Sequence, residues 1–244
     1  MLWKREWRPD VVLLLVGAVV LSYFTGSLAV ELLHGSGVAG FRTYEDTGSV
    51  LVGTLTFQGA AIIGGILFLK LHDIRWREAL GWNRENWKLQ LLLTVTVLAA
   101  ALPVMFGLKY VSEVALQHMG WSVENQKAVA MFSSVKNTWL QIYLVFFAVV
   151  LAPIGEEFIF RGLLFSAAKK FGWPRVGWVG VSLLFAFIHD NLPIFLPLFV
   201  LAMALTWLYE KTEGLLAPIL AHSLFNAANL VLLFLSQYAD HARR

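Results

Sequence analysis

Leu151-Ala-Pro-Ile-Gly-Glu156-Glu157-Phe-Ile-Phe-Arg161-Gly-Leu-Leu-Phe165 decides the fold. Two adjacent carboxylates and an arginine stand inside an apolar run that reaches from Trp139 to the lysine pair Lys169-Lys170. Ionisable side chains are expensive at membrane depth, and those that persist there face a bundle interior, pair with one another or mark a functional site. The rest of the chain has the same apolar character. Of its 244 residues, 58% are hydrophobic and 14% charged, and the mean hydropathy is +0.68. A soluble domain carries about 25% charged residues. The expected fold is therefore all-α, a polytopic transmembrane helical bundle of about seven to eight spans. With no linker, low-complexity tract or evident repeat, residues 1–244 read as one membrane-embedded domain, with its chemistry in 151–230.

Cysteine is absent, which removes disulfides, thiolate metal sites and a cysteine nucleophile. The net charge of +3 is small and its basic residues lie in short loops, so they read as topology signals and not as a nucleic-acid surface. The first apolar run, Val11 to about Val30, follows Lys4, Arg5 and Arg8. It is longer than the apolar core of a cleavable signal, so a retained membrane helix is expected. Further spans are expected over Ser49–Leu71, Leu89–Leu108 with a kink at Pro103, Trp139 to Lys169, Val176–His189, Pro193–Tyr209 and Pro218–Leu235. Lys109–Thr138, interrupted by Glu113, Gln117, His118 and Glu124, reads as an interfacial or extramembrane helical element. Trp3, Trp7, Trp76, Trp82 and Trp87 sit beside basic residues and read as interfacial anchors. With seven spans and a cytoplasmic N-terminus, the inner loops hold twelve Lys and Arg against six outside. That bias predicts a multi-pass protein of the cell (inner) membrane with its N-terminus inside.

Three polar clusters fall in separate spans: Glu156-Glu157 with Arg161, then His189, then His222 with Asn226. A helix rises about 1.5 Å per residue, which places Glu156 and His189 each roughly 20 Å from the inner side. His222 and Asn226 fall roughly 7 and 13 Å along the last span, at compatible depths. Glu157 and Arg161, four apart, stack on one helix face as an ion pair, whereas Glu156 is turned by about 100° and has no such partner. Glu156 is thus the natural general base and Glu157 the structural residue. His222, Asn226 and Asn229 share one stripe, from which an imidazole and an amide can donate to a developing oxyanion. Gln58, in the second span, reads as packing between helices. No His-Glu-x-x-His zinc helix, Gly-x-Ser-x-Gly elbow or buried aspartate pair is present. The residues point to a membrane hydrolase, with a non-catalytic immunity, scaffold or transport protein as the alternative use of such a polar cavity.

These clusters resemble the signature of the CAAX prenyl endopeptidase-like family, also called CPBP or Abi, of intramembrane proteases. Its Glu-Glu-x-x-x-Arg, Phe-x-x-x-His and His-x-x-x-Asn motifs read here as Glu156-Glu157-Phe-Ile-Phe-Arg161, Phe185-Ala-Phe-Ile-His189 and His222-Ser-Leu-Phe-Asn226. The resemblance implies a helical bundle enclosing a polar cavity. It implies that Glu156 and His189 activate water, that His222 and Asn226 stabilise the oxyanion, and that Glu157 and Arg161 support them. The implied substrate is a membrane-associated peptide or protein, lipidated in some members, and the implied partner is membrane lipid. No nucleic acid is expected. A metal-free, glutamic-type site is favoured, with no cofactor. The competing arrangement is a zinc ion on Glu156, His189 and His222.

Overall fold

The computed structural model describes residues 2–34, 36–43, 46–82, 87–123 and 127–242; Glu124, Arg243 and Arg244, and the side chains of Trp3 and Lys127, lie outside what is described. The described residues form a bundle of helices and no strand. We number them α1 Pro9–His34, α2 Thr47–Leu71, α3 Trp76–Leu80, α4 Trp87–His118, α5 Lys127–Ser134, α6 Thr138–Lys170, α7 Pro174–Phe187, α8 Leu192–Thr212 and α9 Leu216–Ala242. Six of them are long and apolar enough to cross a membrane, and α7 is a shorter apolar helix. The protein is a multi-pass helical membrane bundle.

Burial separates the centre from the periphery. In the most apolar window of α8 half the residues are buried, and in α6 44%, against 11–22% in the other long helices. The apolar side chains of the outer helices instead face outward, Leu13 and Leu14 on α1 being 73% and 72% exposed. Such surfaces are stable only against lipid. α8 packs against α4, α7 and α9, and α1 packs against α2.

α6 is not a uniform α-helix. Two π-helical segments, Phe147–Leu151 and Phe158–Phe165, flank the α-helical turn Ala152–Glu157. A π turn shifts the i→i−4 ladder by one residue and frees backbone groups, and such turns concentrate at functional sites. Side chains capture carbonyls here: Asn226 Nδ2 donates to Ala148 O at 2.7 Å, and Ser166 Oγ donates to Arg161 O at 3.0 Å.

Three sequence expectations are corrected. α4 does not end near Leu108 but continues to His118, 32 residues or about 48 Å in all. Only the short α5 remains of the expected element between spans three and four, and it stays at the far end of the bundle. There Phe132 meets Phe234 of α9 at 5.1 Å and Ser133 Oγ accepts from Gln237 Nε2 at 2.9 Å. The last helix therefore ends on the side opposite Leu2. Trp7 is not a lipid-facing anchor: it is buried, donating from Nε1 to Leu2 O at 2.9 Å. Trp76, Trp82 and Trp87 are exposed, as anchors require.

The loops grouped by charge bias meet at one end. Arg5 pairs with Glu78, and Lys4 Nζ lies 2.8 Å from Glu213. Lys170 Nζ donates to Trp7 O at 3.2 Å, and Leu215 N donates to Ala79 O at 3.1 Å. α3 ends at Gly81 in the left-handed conformation (φ 65°), and α8 ends at Glu213 (φ 56°). The two turns touch through glycines: a Cβ on Gly214 would stand 2.3 Å from Gly81 Cα. Gly214→Ala is therefore expected to cost about 1–3 kcal/mol, read as a lower melting temperature in detergent. Reporter fusions at Lys70–Lys88 and Lys169–Arg175 should report the same side of the membrane, and opposite sides would contradict this packing.

Candidate active site

The turn Ala152–Glu157 places its two glutamates differently. Gly155 faces α2, where a Cβ would stand in ordinary contact, 3.6 Å from Gln58 Cα. Across this contact Gln58 Nε2 donates to Glu156 Oε1 at 3.2 Å. Gln58 is the residue that sequence reasoning undervalued. Its one signal was an amide near the middle of a long apolar span, where a buried polar group needs a partner.

Glu157, fully buried, receives two donors on Oε1: Arg161 Nη1 at 2.8 Å and His222 Nδ1 at 2.9 Å. Arg161 is also fully buried. Its Nη2 donates to Ala202 O at 2.9 Å and its Nε to Thr206 Oγ1 at 3.3 Å, both on α8, and its guanidinium lies 4.9 Å from the Phe185 ring centroid on α7. One cation thus ties α6 to both neighbours. Ser166 extends the network to Tyr209, their hydroxyls 2.8 Å apart.

His222 stands between the glutamates. With Nδ1 held by Glu157, Nε2 faces Glu156 Oε2 at 3.8 Å, too far for a direct hydrogen bond. The Oε2 atoms of both glutamates are buried and meet no protein donor. The polar centre is nearly closed, Glu156 being 9% and His222 3% exposed.

His189 lies just past the end of α7, in a turn that closes with Asp190 at φ 47°. The 14 residues of α7 span about 21 Å, shorter than a bilayer core of about 30 Å. Its Nδ1 is 2.7 Å from Phe185 O. A carbonyl only accepts, so Nδ1 carries a proton and donates here. His189 and His222 both contact the Phe185 ring, at centroid distances of 4.8 and 5.7 Å. Asn226, one turn beyond His222, is half-buried and holds Ala148 O, while Asn229 Nδ2 donates to Phe225 O at 2.9 Å. The structure therefore joins Glu156, Glu157, Arg161 and His222 directly. It links His189 through the Phe185 ring, and Asn226 through the π turn of α6. Among the described residues no three His, Cys, Asp or Glu side chains are grouped around one point.

Residues 138–228 match the family model described as Type II CAAX prenyl endopeptidase Rce1-like. That range contains all three motifs quoted above. A curated relative, the UPF0177 protein YxdF of Lactococcus lactis subsp. lactis, is 28% identical over 78 residues, covering 32% of this chain and 42% of that protein. The chain thus spans about two fifths of the relative's length. No solved structure matches the chain.

The two glutamates should separate by stability. Glu157→Gln strands Arg161 in the core, and breaking a buried pair costs roughly 3–5 kcal/mol. Glu156→Gln strands no cation and should melt close to wild type. Glu157→Gln combined with Arg161→Gln should recover part of the loss. Melting curves of the three variants in detergent or lipid check this. A Glu156→Gln chain less stable than Glu157→Gln would reverse the assignment.

Proposed function

We propose that the chain is an intramembrane endopeptidase of glutamic type that hydrolyses peptide bonds of membrane-associated or lipidated peptides and proteins. The observation that carries this reading is the pairing at 3.8 Å of Glu156 with an imidazole already fixed by a second carboxylate. Glu157 and Arg161 cancel each other. A single proton shared by Glu156 and His222 then brings the buried cluster to neutrality, the cheapest state at membrane depth. With that proton on His222, Nδ1–H points to Glu157, Nε2–H is free to donate, and Glu156 is an ionised base beside it.

In the proposed reaction a water attacks the scissile carbonyl carbon while Glu156 takes its proton. The Nε2 lone pair of His189 assists from the side of Phe185. The carbonyl oxygen becomes an oxyanion that receives the Nε2–H of His222 and the second amide hydrogen of Asn226. As the tetrahedral intermediate collapses, the C–N bond breaks and the proton held by Glu156 passes to the leaving amine. Gln58 fixes Oε1 of Glu156, which aims Oε2 at the water.

The closure of the cluster favours a second reading, a non-catalytic scaffold, transport or immunity protein in which these groups only hold helices together. Activity separates the two readings. In an enzyme Glu156→Gln should lose turnover by at least about 100-fold while staying folded. A variant that keeps the protein's function unchanged would rule the protease out. Gln58→Leu should lower kcat by about 10- to 100-fold with KM little changed, as expected of a misaimed base. Strong chelation should leave turnover intact. Loss on metal removal with recovery on its return would show that a metal is needed.

A further inference from the structure

At the end of the bundle where α2, α3, α4, α8 and the chain's first residues meet lies a cavity of about 890 Å³ that the proposed chemistry does not use. Among the described residues its rim is cationic: Lys4, Arg5, Arg75, Arg77 and Lys211 line it, against two carboxylates, Glu78 and Glu213. Both carboxylates are paired, Glu78 with Arg5 and Arg75 and Glu213 with Lys4. Those ion pairs hold both carboxyls below their usual range, through Arg75 above all for Glu78 and through Lys4 for Glu213, so they remain ionised and the rim keeps an excess of positive charge.

The other wall is apolar, formed by Leu2, Ile74, Leu89 and Leu93. Leu89 and Trp82 beside it are 54% and 50% exposed. A cavity with a cationic rim at the water side and an apolar wall continuing into the membrane suits an amphipathic anion, not a free one.

Gln90 narrows the chemistry. It sits in the cavity wall, 9% exposed, and its Nε2 donates to Gly81 O at 2.9 Å. Its Oε1 is buried and meets no donor among the described residues. Leaving a buried acceptor unsatisfied costs roughly 1–3 kcal/mol, so the site calls for a ligand that brings a donor to this atom. A phosphodiester offers only acceptors. A headgroup carrying hydroxyls beyond the phosphate offers both, with the phosphate on the arginine and lysine rim and a hydroxyl on Gln90 Oε1. An ethanolamine ammonium would also donate, but the excess of cations opposes it.

We infer that this cavity binds the headgroup of an anionic phospholipid bearing free hydroxyls, of the phosphoglycerol kind. Leu2, in the same wall, packs against Gly162, the residue after Arg161, where a Cβ would stand 3.2 Å from Leu2 Cδ1. An occupied site therefore braces the segment that supports α6.

The test is lipid binding to the purified full chain in detergent, with phosphatidylglycerol, phosphatidylcholine, phosphatidylmethanol and soluble glycerol phosphate as probes. Phosphatidylglycerol should bind at least about tenfold tighter than phosphatidylcholine, since each basic residue near an anionic headgroup adds on the order of a factor of five. It should also bind several-fold tighter than phosphatidylmethanol, which has the same charge and no hydroxyl. Arg77→Gln with Lys211→Gln, both exposed and outside the proposed catalytic groups, should remove most of the preference over phosphatidylcholine. Equal binding of phosphatidylglycerol and phosphatidylcholine, or an unchanged preference in the double variant, would overturn the site. Equal binding of phosphatidylmethanol would overturn the hydroxyl assignment to Gln90, and equal potency of soluble glycerol phosphate would overturn the lipid. None of these readouts depends on peptidase activity.

Discussion

A guanidinium wholly enclosed in a membrane bundle must find its counterion and all its acceptors within its own reach, because no water is available to supply them. Arg161 meets that constraint with one carboxylate, one carbonyl and one hydroxyl. The positions of α6, α7 and α8 follow from it. Thr206 and Ala202 have to present oxygen at the right height on α8, and Phe185 has to offer its ring from α7. Glu157, once committed to Arg161, can take a second donor on the same oxygen, and His222 provides it. The orientation of the imidazole that faces Glu156 is therefore inherited from an ion pair that does no chemistry in the proposed reaction.

The adjacent glutamates show how neighbours in sequence acquire different tasks. One helical step turns Glu157 into the α8 side of the bundle and Glu156 toward α2. The first meets a fixed cation, the second only an amide donor and an imidazole that stays just out of hydrogen-bond range. The π segments on either side make the arrangement feasible. They free Ala148 and Arg161 carbonyls that Asn226 and Ser166 then occupy, so the last helix and the α6–α8 contact are registered against the turn that carries both carboxylates.

Much of this was legible in the residues. The order and approximate limits of the spans followed from apolar run length, and the Glu157–Arg161 pair followed from spacing alone. So did the common end shared by the basic loops, since charge bias sorts loops by side. The π turns were not legible, because they are stabilised by donors from distant helices and leave no local pattern. The continuation of α4 beyond Leu108 was hidden because Lys109, Glu113, Gln117 and His118 end the apolar run without ending the helix. Gln58 was undervalued because a single amide in a span reads as packing until the opposing Glu156 is known. Trp7 was misread because a tryptophan beside arginines looks the same whether its ring meets lipid or, as here, the Phe68 ring at 6.0 Å and the Lys170 ammonium at 4.6 Å.

The docking of residues 2–7 has a consequence for biogenesis. Leu2 rests on Gly162, Lys170 holds the carbonyls of Arg5 and Trp7, and Lys4 meets Glu213. These residues leave the ribosome before α1, yet Gly162, Lys170 and Glu213, which receive them, are made more than a hundred residues later. The segment must wait at the membrane face while the helices insert in turn, and it can settle only after the α8–α9 turn has been synthesised. Its arrival is a report that the central helices are assembled, so quality control that senses a loose N-terminal segment would be sensing the completion of the bundle's interior.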